Sequence, residues 1–167
     1  MHSEAQPDVI IFMTDEERAI PPYETPEVLE WRDEALKGRN WFKDNGVSFN
    51  RHYTGSLACV PSRPTLFTGQ FPDVHGVTQT NGLGKDEYDS RMRWLLPREV
   101  PTIGHWFRAA GYDTHYDGKW HISHADLIDQ VTGNPLATNT SDGTVLQEAV
   151  DRYLAENPLN EFGFSGW

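Results

Sequence analysis

Five consecutive apolar residues, Val9-Ile10-Ile11-Phe12-Met13, constrain this chain more than any other stretch. A run of that length with no polar interruption has no face to give to water. It predicts a strand buried on both sides, the pattern of a parallel sheet covered by helices. The run breaks abruptly into Thr14-Asp15-Glu16-Glu17-Arg18. Open α/β sheets place their sites in the loops after the carboxyl ends of such strands. Asp15 and Glu16 are therefore the first candidate site residues, although a solvated loop after a strand would look the same locally.

The remaining segments alternate in kind. A helix is predicted from about Pro26 to Asn45, with Thr25 as N-cap and an apolar stripe of Val28, Leu29, Ala35, Leu36 and Phe42. Gly46 is expected to end it in a left-handed turn. Val47 to Phe49 follows as a short strand, and a helix beginning near Ser62 to Pro64 runs to Gly69. Leu83 to Val100 is the least readable stretch, a loop or a short helix. Ile103, Trp106, Phe107 and Ala110 lie on one helical face, with Gly111 as the stop. Tyr112 to Asp117 alternates like a strand and leads into Gly118-Lys119-Trp120-His121. Asn134 to Gly143 is loop, and Leu146, Ala149, Val150, Tyr153 and Leu154 mark a last amphipathic helix before Pro158. The order predicts an α/β fold, a mostly parallel mixed sheet with helices on both faces.

Composition narrows the function. At 167 residues the chain fits one domain with a sizeable core, and its 6 Trp, 6 Tyr and 8 Phe argue against disorder. With 14 Lys and Arg against 25 Asp and Glu, its net charge of −11 disfavours nucleic acid or an anionic membrane as partner. No apolar run reaches the length of a membrane span. Met1 to Pro7 is polar and has no signal-peptide pattern, and Cys59 is the one cysteine, so no intrachain disulfide forms. A cytoplasmic location is the expectation. The chain stops inside an apolar segment, Phe162 to Trp167, which reads as a cut in a longer sequence.

The most informative segment is Cys59-Val60-Pro61-Ser62-Arg63-Pro64-Thr65-Leu66-Phe67-Thr68-Gly69, of the form C-x-P-S-R-x-x-L-x-T-G. It resembles the signature of the sulfatase family, in which the cysteine is oxidised to formylglycine. A second block, Gly111-Tyr112-Asp113-Thr114 leading to Gly118-Lys119-Trp120-His121, resembles the family's second signature. The Val9–Met13 strand ending in Asp15-Glu16 resembles its first metal-binding strand. The resemblance is strong over about residues 7 to 125.

The resemblance implies an alkaline-phosphatase-like α/β architecture, with residues 1–167 as the N-terminal part of a single catalytic domain. It implies hydrolysis of a small sulfated substrate by a hydrated formylglycine derived from Cys59, made by a formylglycine-generating maturation enzyme. Asp15, Glu16 and the modified Cys59 would bind calcium, with magnesium as the alternative, because carboxylate oxygens suit hard cations. Glu16 stands where the family usually carries Asp. Arg63, one helical turn after Cys59, would hold the formylglycine and balance charge. Lys119 and His121 alternate along an extended segment; the resemblance puts Lys119 on a sulfate oxygen and His121 at the nucleophile's hydroxyl.

Each residue alone has a plainer explanation. A lone cysteine is usually a small buried hydrophobe, and Arg63, Lys119 and His121 singly would be ordinary charges. His52 and Tyr53 could line a pocket or simply pack, and His115, His121 and His124 fit no strong zinc spacing. The family's later metal ligands, an Asp followed by Asn or His, have no counterpart here, nor has its second sulfate-binding Lys. Two rival readings remain: a formylglycine-dependent phosphonate monoester hydrolase or phosphodiesterase, and a non-catalytic sulfatase fragment.

Overall fold

A computed structural model describes residues 6–82, 84–86, 88–123, 127–129 and 131–165. The chain divides between His52 and Tyr53 into two units.

The first unit holds helices α1 (Pro26–Ala35) and α2 (Lys37–Asn45). Pro26 opens α1 where a missing N–H costs nothing, and the Thr25 carbonyl accepts from the Val28 and Leu29 amides. The single helix expected over Pro26–Asn45 is broken at Leu36, whose ψ of 51° leaves the helical region. Asn40 supplies a reason: its side-chain amide donates to the Asp33 carbonyl at 2.7 Å, taking an acceptor that a continuous helix would offer to Lys37. Gly46 follows α2, but with φ −131° rather than in the left-handed turn expected. Glycine is needed there for room, since a Cβ would lie 2.8 Å from the Phe42 carbonyl oxygen. An ion pair joins Arg32 to Glu24 at 2.5 Å and holds the Glu24 carboxyl below its usual range.

None of the described side chains of this unit is buried. Val9, Ile10, Ile11 and Phe12 are exposed, Phe12 to 88%. The expected stripe of α1 and α2 is likewise in water or half-covered, with no buried residue in either helix.

The second unit has a core. Helix α3 (Cys59–Thr68) runs through its centre, followed by the one-turn α4 (Pro72–His75), α5 (Ile103–Ala109), α6 (Gln147–Glu156) and a 3₁₀ turn at Pro158–Phe162. Val60 and Phe67 of α3 pack with Val77, Leu95, Trp120, Ile122, Leu159, Phe162 and Phe164. Phe67, Tyr116, Trp120 and Phe164 stack edge-on or tilted, their centroids 5.1 to 5.9 Å apart. The helix expected to begin near Ser62 to Pro64 starts earlier, at Cys59, because the Ser62 N–H already bonds the Ala58 carbonyl. It runs to Gly69 as expected, and Gly69 ends it in a left-handed turn at φ 70°. Helix α5 and its Gly111 stop, at φ 89°, also match the periodicity.

The backbones of α5 and the C-terminal turn cross at two glycines. A Cβ on Gly104 would lie 2.6 Å from the Gly163 carbonyl oxygen, and one on Gly163 would lie 2.3 Å from the His105 nitrogen. The buried Thr102 hydroxyl donates to the Phe162 carbonyl at 2.5 Å, and the Thr114 hydroxyl to the Gly163 carbonyl at 2.6 Å. These bonds tie the C-terminal segment to the start of α5 and to the second motif.

No sheet forms among the described residues. The β pairing consists of isolated bridges, Gly82 with Lys85, Ile128 with Pro135, and Asn139 with Val145. The three segments read as strands, Val9–Met13, Val47–Phe49 and Tyr112–Asp117, are not β-strands in the structure. A strand needs at least one hydrogen-bonded neighbour, and apolar content alone does not supply one. Thr114 takes one such bond, from the Ser165 amide at 2.6 Å. The 134–143 loop is loop as expected.

Candidate active site

Cys59 is the first residue of α3, half-buried, where the chain turns into the helix. The turn is set locally. The Thr54 hydroxyl donates to the Ser56 carbonyl at 2.8 Å, and the Ser56 hydroxyl accepts from the Ala58 amide at 3.2 Å. One turn into the helix the Ser62 hydroxyl donates back to the Cys59 carbonyl at 3.2 Å. Pro64 inside the helix brings no amide hydrogen, so the helix does not use the Val60 carbonyl there.

Arg63 lies one turn after Cys59, 6% exposed. Its Nε donates to the Trp120 carbonyl at 2.5 Å, and one Nη donates to the Tyr116 hydroxyl at 2.6 Å and to the Lys119 carbonyl. The Tyr116 hydroxyl donates to the same Lys119 carbonyl. Burial pushes the Tyr116 phenol above its ordinary range, against the pull of the Arg63 charge. A guanidinium has five donors in a planar fork, and here the fork is spent on one loop. The first motif thereby grips the second by its backbone.

The gripped loop is not a regular strand. Gly118 and His121 have φ of 95° and 53°, so simple alternation does not govern Lys119 and His121. Lys119 is exposed, while His121 is half-buried. His121 Nε2 lies 3.0 Å from Asn81 Oδ1, and its ring is 5.7 Å from that of Trp94. The next residue, Ile122, is fully buried, and its carbonyl accepts the Leu95 amide at 3.1 Å.

A second polar cluster sits behind α3. His75 is 1% exposed, and its Nδ1 accepts the Val77 amide at 3.2 Å. Nε2 must then carry the proton, which it gives to the Thr65 hydroxyl at 3.1 Å; that hydroxyl donates onward to the Pro61 carbonyl at 3.0 Å. Both nitrogens serve the neutral ring, and burial holds the His75 pKa below its ordinary value.

Asp15 and Glu16 belong to the first unit, where both are exposed in a bend and Glu16 has φ 58°. Next to them the Thr14 hydroxyl donates to the Glu17 carboxylate at 2.7 Å. Among the described residues, no three His, Cys, Asp or Glu side chains stand together so as to hold a metal ion. Two carboxylates and residue 59 fall short of the six to eight oxygens calcium takes, so the described residues do not by themselves fit that ion. His52, Tyr53 and His115 are exposed, and His124 lies outside the described residues.

Four residues at or near the site escaped the motif reading. Tyr116 stands inside the second block, where its spacing to Lys119 was a usable signal. Asn81, Trp94 and His75 are in segments with no pattern to mark them.

A cysteine at a helix start, with a buried arginine one turn on that carries the Gly-Lys-Trp-His loop, defines the class. The chain belongs to the sulfatase family, whose model matches residues 7–160. It is 36% identical over 84 residues to the uncharacterized sulfatase YidJ of Escherichia coli, covering 50% of this chain and 14% of that protein. Human N-acetylglucosamine-6-sulfatase is 28% identical over 116 residues, 69% of this chain and 19% of that protein. Mouse N-acetylgalactosamine-6-sulfatase is 30% identical over 80 residues, 47% of this chain and 15% of that protein. The matches thus take in only 14% to 19% of these relatives' length. No solved structure matches the chain. Family membership implies the alkaline-phosphatase-like α/β fold. No helix among the described residues is long and apolar enough to cross a membrane.

Proposed function

We propose that this chain is the N-terminal part of a sulfatase catalytic domain that cleaves a sulfate monoester at residue 59. The observation that carries the reading is the Arg63 fork, which joins the helix beginning at Cys59 to the backbone of Lys119 and Trp120. The formylglycine made from Cys59 by a maturation enzyme supplies, when hydrated, a hydroxyl nucleophile on a carbon that can later release sulfate. The chain's own residues do the rest by position and charge. Arg63 holds the 116–120 loop and places a fixed cation in the core beside α3. Lys119, on the exposed side of that loop, binds a sulfate oxygen as its charge grows. His121, held against Asn81, handles the proton of the attacking hydroxyl.

The divalent cation belongs to the proposal only as a donor set: Asp15, Glu16 and residue 59, completed by ligands this chain does not bring together. The 167-residue chain alone is accordingly expected to bind calcium weakly and to turn over little. The mostly parallel sheet flanked by helices is part of the same proposal.

The test is a peptide mass measurement at residue 59 on protein purified from cells that contain the maturation enzyme. An aldehyde in place of the thiol supports the reading. An intact thiol throughout overturns catalysis and leaves a non-catalytic fragment. Rates of the whole natural protein on aryl sulfate and aryl phosphodiester then decide the substrate class. A faster phosphodiester reaction reassigns it as a phosphonate monoester hydrolase or phosphodiesterase.

A further inference from the structure

We propose that Asn81 is a positioning residue that sets the ring tautomer and orientation of His121. The meaning of this for catalysis rests on the reading above; the physical claim does not. The two residues are 40 positions apart, both half-buried, and Asn81 Oδ1 lies 3.0 Å from His121 Nε2. A carboxamide oxygen can only accept, so the imidazole proton sits on Nε2 and the lone pair of the neutral ring on Nδ1.

The pairing is built rather than incidental. His121 has a φ of 53°, a left-handed conformation uncommon outside glycine, and packed neighbours fix the backbone beside it. The surroundings come from three segments. Ile122 is fully buried beside it, and the Ile122 carbonyl is bonded to the Leu95 amide at 3.1 Å. Trp94 sets its ring 5.7 Å from the imidazole, tilted by 46°. With the adjoining Ile122 carbonyl bonded to the Leu95 amide and the Trp94 ring beside the imidazole, Asn81 determines which nitrogen holds the proton. A ring in the other tautomer would put a lone pair against the amide oxygen, two acceptors in contact.

The experiment is long-range proton–nitrogen NMR of the ¹⁵N-labelled 167-residue chain in mildly alkaline buffer, where an imidazole is ordinarily neutral. The expected wild-type spectrum shows His121 Nε2 as the protonated nitrogen and Nδ1 as the bare one. The reverse assignment overturns the proposal with no variant needed, because it would mean that the amide group donates. Asn81→Ala should give a mixture of the two tautomers, and Asn81→Asp, which still accepts, should keep the wild-type pattern. Protection of the Leu95 amide, bonded to Ile122, reports whether each variant keeps the local fold. A single unchanged tautomer in Asn81→Ala with Leu95 still protected also overturns the proposal. The spectra are recorded with Cys59 as the thiol. A failure to find aldehyde or sulfate ester cleavage would therefore sink the sulfatase reading and leave this one standing, and the converse holds.

Discussion

Arg63 and Trp120 are 57 residues apart in sequence, and the guanidinium of one donates to the backbone carbonyl of the other at 2.5 Å. A side chain that bonds a neighbour's main chain constrains where that segment goes, whatever its side chains are. The same fork reaches the Lys119 carbonyl and the Tyr116 hydroxyl. Trp120 completes the clamp from inside, with its ring against Phe67 of the same helix at 5.4 Å.

Arg63→Met should therefore destabilise the second unit by about 3 kcal/mol, since it leaves two carbonyls and a phenol without their shared donor. Arg63→Lys should recover only part, because an ammonium cannot span all three acceptors as a planar fork does. Tyr116→Phe should cost about 1 kcal/mol, one bond's worth. Urea unfolding followed by Trp fluorescence orders the three; equal losses for Lys and Met would mean that the fork geometry is decisive.

Stability should also fall with acid through His75. Burial lowers its folded pKa below the ordinary 6.5, with Asp73 and Glu99 pulling weakly the other way. The unfolded chain takes up the proton first, so the contribution is present above about pH 6.5 and is lost as pH falls through the folded value. Urea midpoints from pH 7.5 to 5 should drop more steeply in the wild type than in His75→Gln. Parallel curves would show that the ring titrates alike in both states.

Two glycine-to-alanine changes should move in opposite directions. At Gly38, inside α2, nothing lies within 4 Å of the added Cβ. Alanine there should stabilise by up to about 1 kcal/mol through helix propensity. At Gly104 the same propensity gain is outweighed, because the Cβ meets the Gly163 carbonyl oxygen at 2.6 Å. A net loss of about 1–3 kcal/mol is expected from overpacking against backbone. Thermal melts of both variants check the sign.

Phe67→Ala should be among the costliest substitutions, at about 3–5 kcal/mol. The ring is 4% exposed and meets Tyr116, Trp120 and Phe164 at 5.4 to 5.9 Å. Phe42→Ala, whose ring is 65% exposed, should change stability by less than about 0.5 kcal/mol. Chemical denaturation of the pair tests the contrast.

The motif residues were legible because their chemistry leaves a spacing. Cys59 and Arg63 are four apart, and a helix does run through both. Gly69 and Gly111 were legible as stops because positive φ has a residue preference. Leu36 was not: its apolar neighbours continue the helical stripe, and the break shows in an Asn40 side chain reaching the Asp33 carbonyl. Nor was the Asn81 contact, since a partner 40 residues away leaves no trace in local periodicity. The apolar run Val9–Met13 marked what the segment would bury, not what would bury it.

That run, with the helices after it, bears on calorimetry. The heat-capacity change of unfolding tracks apolar surface newly wetted. Ile10, Phe12, Trp31, Trp41 and Phe49 are already in contact with solvent in the folded chain, so melting them wets little. The increment should come almost wholly from the unit beginning at Tyr53. By this measure the chain should behave thermodynamically as a protein of roughly two-thirds its length.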